Sequence, residues 1–136
     1  MKKFEYFPHT ADIGLVAYGR NLPEAYANAA YGLFSIITDL RKVKQVESQI
    51  VELQENDPES LLFEWLNHLI YLFEVDRMLF KQCNIQEYNG RHLKALCSGE
   101  HIDPKRHMLK LGVKAATYHM LKVDPSKNQV QVIFDV

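Results

Sequence analysis

The stretch "NDPESLLFEWLNHLIYLFEVD", residues 56–76, constrains the fold more than any other. Asp57 can cap a helix. Pro58 then takes the first helical position, where its missing N–H is no loss, and Glu59 favours the positive end of the helix dipole. Leu61, Leu62, Trp65, Leu66, Leu69, Leu72 and Phe73 recur as one apolar stripe, while Glu64, Asn67, His68 and Tyr71 fall on other faces. The spacing predicts a helix over 58–76 that must bury one side against something else.

A second helix is predicted over 22–37. Asn21 can cap it, Glu24 stands at capping-box spacing, and Pro23 is tolerated in the first turn. Leu22, Tyr26, Ala29, Leu33 and Ile37 lie at helical spacing, and the alanines beside them permit close packing on a sheet.

The rest of the chain reads as strands. Residues 3–7 and 12–18 form two short ones, with Ile13, Leu15 and Ala17 alternating in the second. Pro8 predicts a bend between them, and Gly14 a bulge or a close backbone approach. Residues 43–54 lean towards strand. Residues 78–88 and 91–97 read as a hairpin joined by Asn89-Gly90, a favoured type I′ pair. A polar loop, "SGEHIDPKRH", follows, and then strands at about 108–119 and 129–135 joined through "VDPSKN". Short connections favour antiparallel pairing. The expected fold class is α+β: a mainly antiparallel sheet covered by two long helices, in a single domain over 1–136.

Composition narrows the function classes. With 136 residues the chain can bury enough surface to fold without a disulfide or metal. Lys and Arg number 16 against 17 Asp and Glu, which is not the excess expected of a protein held mainly by phosphates, although a local basic patch stays open. Cys83 and Cys97 are too few for a disulfide framework and too far apart for a CxxC clip, and read as small core residues. No apolar segment is long enough to span a bilayer, and "MKKFEYFPHT" lacks the apolar run of a signal peptide. The expected setting is a reducing cytoplasm with no membrane contact.

Recognised catalytic patterns are missing. There is no HExxH, GxSxG or glycine-rich phosphate loop, and the six histidines show no ligand spacing. His68 reads as a helix-surface partner of Glu64. Two carboxylates stand out instead. Asp12 begins a strand inside "FPHTADIG", and Asp135 ends one inside "VIFDV", next to Val136. Each has an ordinary reading: a turn residue bonding nearby amides, or a strand end facing water. Were the first and last strands neighbours, Asp12, Asp135 and the terminal carboxylate would converge as acceptor-only oxygen, which suits Ca²⁺ or Mg²⁺ more than zinc. "KAATYHML", residues 114–121, is two-sided as well. Thr117 and His119 either satisfy each other across one face, or Lys114 and His119 are offered to a partner.

"HTADIG" at 9–14, "LLFEWLNHLIYLFE" at 61–74, "KAATYH" at 114–119 and the terminal "VIFDV" occur together in the order seen in the archease family, which the chain resembles from end to end. Residues 77–107 resemble it less, and His68 stands where the family's "WLNEL" pattern has an acid. The resemblance implies a helper rather than an enzyme: an activator of an RtcB-type RNA ligase in tRNA splicing and RNA repair. Such a helper promotes guanylylation of the ligase histidine and multiple turnover. GTP would belong to the ligase, and tRNA or other RNA would be reached only indirectly. The family's metal site carries over onto Asp12, Asp135 and Val136, holding Ca²⁺, Mg²⁺ or Mn²⁺. His9, Lys114 and His119 become contacts to the ligase or its nucleotide. A small metal-dependent hydrolase and an RNA-binding or chaperone-like adaptor are the rival readings.

Overall fold

A computed structural model describes residues 2–136. The elements run β1 (Phe4–His9), β2 (Asp12–Tyr18), α1 (Leu22–Ile37), a short 3₁₀ turn (Leu40–Lys42), β3 (Glu47–Gln54), α2 (Pro58–Asp76), β4 (Met78–Tyr88), β5 (His92–His101), β6 (Ala115–Asp124) and β7 (Gln129–Asp135). The antiparallel strands divide into two sheets, ordered β1-β2-β7-β6 and β3-β5-β4. The fold is α+β, as the patterning predicts.

Both helices begin where their caps dictate. The Asn21 side chain accepts the Glu24 N–H at 2.9 Å, and Asp57 accepts that of Ser60 at 2.7 Å. Glu24 reaches past the cap residue, accepting the Arg20 N–H at 3.0 Å and pairing with its guanidinium. Helix α2 ends at Arg77, whose φ of 59° is left-handed, a common way to stop a helix.

Helix α1 packs against β4 of one sheet and β2 of the other. Its Gly32 permits this: a Cβ there would lie 2.8 Å from Leu15 Cδ1. The two helices meet at Tyr26 and Trp65, both fully buried. Tyr26 Oη donates to the Pro58 carbonyl at 2.6 Å, and Trp65 Nε1 donates to the Tyr26 carbonyl at 3.0 Å. Each large ring thus buries its body while its polar atom is satisfied, and truncating Trp65 to alanine costs about 3–5 kcal/mol. Cys83 and Cys97 are buried opposite each other on β4 and β5, in the core as expected.

Several local expectations are corrected. Pro8 bends nothing: it pairs with Ile13 inside β1, which tolerates a proline because it is an outer strand. The hairpin turns instead at Thr10-Ala11, where Ala11 adopts a φ of 60°. Gly14 forms no bulge; it is a close approach, since a Cβ there would fall 2.2 Å from the Phe7 ring. The β4–β5 hairpin is not a two-residue type I′ turn. Residues 89–91 connect the strands, only Gly90 has positive φ, and Asn89 Oδ1 accepts the N–H groups of Arg91 and His92. The stretch expected to loop from residue 98 continues as strand to His101. Strand β6 begins at Ala115 rather than near 108 and carries an irregularity between Thr117 and Lys122, with Met120 at a φ of 56°.

Candidate functional site

The β2–β7 ladder ends with Ile13 facing Phe134. One step further lie Asp12 and Asp135, on neighbouring strands whose backbones run about 5 Å apart. Residues in step across an antiparallel pair project to the same face. Leu15, Ala17, Val130, Val132 and Phe134 occupy the buried face towards α1, so the two carboxylates take the other. Asp12 is half-buried and Asp135 exposed.

The remaining predicted residues gather at the same end. His9 pairs with Asp12 across the turn, with Nδ1 3.7 Å from Asp12 Oδ2, too far for a hydrogen bond. That nitrogen is buried and has no partner among the described residues. The His9 ring lies 5.1 Å from the His119 ring, tilted by 59°. The Lys114 N–H donates to the Asp135 carbonyl at 2.8 Å, and Ala115 pairs with Asp135. Val136 is half-buried beside them. His9, Asp12, Lys114, His119, Asp135 and Val136 thus come together at one end of the four-stranded sheet. Ala11 places its left-handed φ, costing about 1 kcal/mol, at the centre of this cluster.

Two anticipated pairings do not form. Thr117 Oγ1 donates to the Ile133 carbonyl at 2.9 Å instead of meeting His119. His68 stacks on Tyr71, 6.1 Å between ring centres, rather than bonding Glu64. Sequence reading also missed three groups. Asn67 clasps the free edge of β6, its Oδ1 accepting the Ala116 N–H at 2.8 Å and its Nδ2 donating to the Ala116 carbonyl at 3.3 Å. Phe63 and Tyr118 stack face to face at 3.9 Å. A third group forms a buried knot. Glu100 accepts the Lys44 N–H at 2.6 Å and His107 Nε2 at 3.0 Å, and pairs with Arg106. The Arg106 guanidinium, partly opposed by burial, holds the Glu100 carboxyl down at about 2. The signal for Asn67 was an amide beside an apolar stripe; for the knot, an acid six and seven residues before a basic pair.

As a metal centre, the cluster offers two carboxylates on one face. Among the described residues, no group of three or more His, Cys, Asp or Glu is placed to hold a metal ion. The donor set therefore does not supply the N/S cage of a structural zinc. A hard cation such as Ca²⁺ takes about six to eight oxygen ligands, so two carboxylates would hold one only with water or a partner supplying the rest. Among the described residues no helix is long and apolar enough to cross a membrane.

The archease protein family model matches residues 4–136. The chain is 42% identical to the protein archease of Sulfurisphaera tokodaii over 138 residues, covering 100% of this chain and 99% of that one. It is 39% identical to the protein archease of Methanosarcina mazei over 141 residues, covering 99% and 97%. Its fold superposes on the solution structure of a Methanobacterium thermoautotrophicum protein with a TM-score of 0.79 and 33% identity, over the whole of both chains. The crystal structure of a Thermotoga maritima archease, described as a possible chaperone, shares the fold at a TM-score of 0.62 and 20% identity, over 96% and 94% of the two chains. The chain belongs to the archease family.

Proposed function

We propose that this protein is a metal-binding activator of an RtcB-type RNA ligase rather than an enzyme in its own right. One observation carries the reading: the strand register sets Asp12 beside Asp135, with the His9 and His119 rings packed at a tilt alongside. Family membership over nearly the whole chain supports it. Asp12, Asp135 and an oxygen of Val136 would hold the cation, Ca²⁺, Mg²⁺ or Mn²⁺. Bound there, the cation would offer positive charge to the oxygens of the GTP that belongs to the ligase.

The chain's own residues prepare the surface. Asp12 and Asp135 keep negative oxygen at an exposed strand end, where a partner's active site can reach it. The unpartnered His9 Nδ1 offers one proton or one lone pair in a place where neither is used internally. His119 and the exposed Lys114 border the carboxylates and would meet the ligase or its nucleotide. RNA would be engaged through the ligase, and the setting would be cytoplasmic.

Guanylylation of the cognate ligase, measured with limiting metal and with or without this protein, tests the reading. Asp12→Asn or Asp135→Asn should abolish the stimulation with an unchanged circular dichroism spectrum. Full stimulation by either variant refutes the site; no stimulation by the unmodified protein refutes the function.

A further inference from the structure

A groove of about 630 Å³ runs along the outer face of α1, at the end of the four-stranded sheet remote from Asp12. Lys2 and Lys3 line it from the start of β1, Arg20 from the β2–α1 connection, and Lys81 from β4. Its one carboxylate, Glu24, is engaged by Arg20, Nη2 to Oε2 at 2.8 Å. Tyr31 lines it too, with Lys3 Nζ 4.9 Å from its ring centre.

Lysines on outer strands commonly serve to block edge-to-edge pairing, and both β1 and β4 are outer strands. That role needs single cations pointing into water. It does not call for cations from three elements converging on one groove, nor for Lys81 to be half-buried within it. Converging like charges repel one another, and a chain of anions relieves the repulsion. The pair that Lys2 makes with Glu5 is exposed and weak, so it exchanges readily for a phosphate, whereas Arg20 stays with Glu24 and leaves Lys2, Lys3 and Lys81 to bind. A cationic groove with an aromatic platform is how sequence-tolerant single-strand sites are built. An overall charge of -1 does not oppose this, because the local field governs binding.

We infer that this groove binds the phosphate backbone of a single-stranded polynucleotide, with Tyr31 free to stack on a base once Lys3 turns from its ring to a phosphate. The site goes beyond the activator role, uses none of its residues, and makes contact with RNA direct.

The test needs only the purified protein. Fluorescence anisotropy would follow a labelled single strand of about 12 nucleotides, as RNA and as DNA, within the span of such sites. Three phosphate contacts predict an affinity that falls roughly twenty-fold between 50 and 200 mM salt. Lys3→Gln/Lys81→Gln should weaken binding at least tenfold and lower the log–log salt slope by about 1.4, and Lys3→Arg/Lys81→Arg should restore both. Lys2→Glu, at an exposed position, gives an independent reading and should weaken binding several-fold. Tighter binding of either strand type identifies the sugar and upholds the proposal. It is overturned if neither strand binds at 50 mM salt, if the glutamine and glutamate variants bind like the unmodified protein, or if polyglutamate displaces the strand as well as unlabelled RNA does.

Discussion

The two ends of the four-stranded sheet carry opposite chemistry. At one end the β1–β2 turn and the last step of β7 bring Asp12 and Asp135 side by side, with the His9 ring tilted against that of His119. At the other, the Tyr18 N–H donates to the Lys3 carbonyl and the Asn128 amide to that of Arg20, tying down the segments that bear the cationic groove. The same strands run through both. A near-neutral total therefore conceals two separated fields, and the distance between them keeps one from neutralising the other. Net charge describes solubility; it does not describe which ligand each end will take.

The largest expected effect falls on the acidic end. Asp12→Asn/Asp135→Asn should reduce ligase guanylylation to its unstimulated level while leaving polynucleotide binding at the basic groove intact. Loss of both properties would show that the ends are not independent. A control belonging to neither end is Glu100→Ala, which strands His107 and Arg106 and should cost about 3 kcal/mol on denaturant unfolding. The sign of its pH dependence follows from a carboxyl lowered from 4.5 to about 2. Its stabilisation is complete above pH 4.5 and is lost as pH falls towards 2, so the variant should lack that part of the acid limb.

Next in size, a divalent cation at a hundred times its dissociation constant should stabilise the protein by about 2.7 kcal/mol. Differential scanning calorimetry with calcium or magnesium would show the rise; Asp135→Asn should abolish it and Lys3→Gln/Lys81→Gln should retain it. Gly14→Ala forces a methyl into the Phe7 ring and should cost about 2 kcal/mol in thermal unfolding. Phe7→Ala in the same background should recover part of the shift. The smallest effect is expected of Asn67→Ala, about 1 kcal/mol, seen as faster hydrogen exchange at the Ala116 amide.

How much of this was legible depended on distance along the chain. The helix starts were readable because Asn21 and Asp57 act on amides three residues away. Gly14 was half readable: its missing side chain announced a close approach but not which ring would occupy the space. Pro8 misled because a bend and an outer strand tolerate proline equally well, and only the sheet order separates them. The Asn89-Gly90 pair marked a hairpin correctly, yet Asn89 used its side chain as an acceptor instead of adopting positive φ, which lengthened the turn. The loop drawn from residue 98 failed because Glu100, which looks solvent-facing, is neutralised by Arg106, His107 and the Lys44 N–H from a distant segment. For the site, the residue types suggested hard-cation chemistry, but nothing local says that β2 pairs with β7. That proximity exists only in the completed topology.

The central position of β7 has a consequence for synthesis. The β1–β2 hairpin is made before the helices, yet the partner of its inner strand is made after both helices and the whole second sheet. Until then β2 offers an unpaired edge in the crowded cell, and no carboxylate faces Asp12. Such non-local pairing is slow and exposed to misassociation. The meeting of Asp12 with Asp135 therefore reports that the four-stranded sheet has closed.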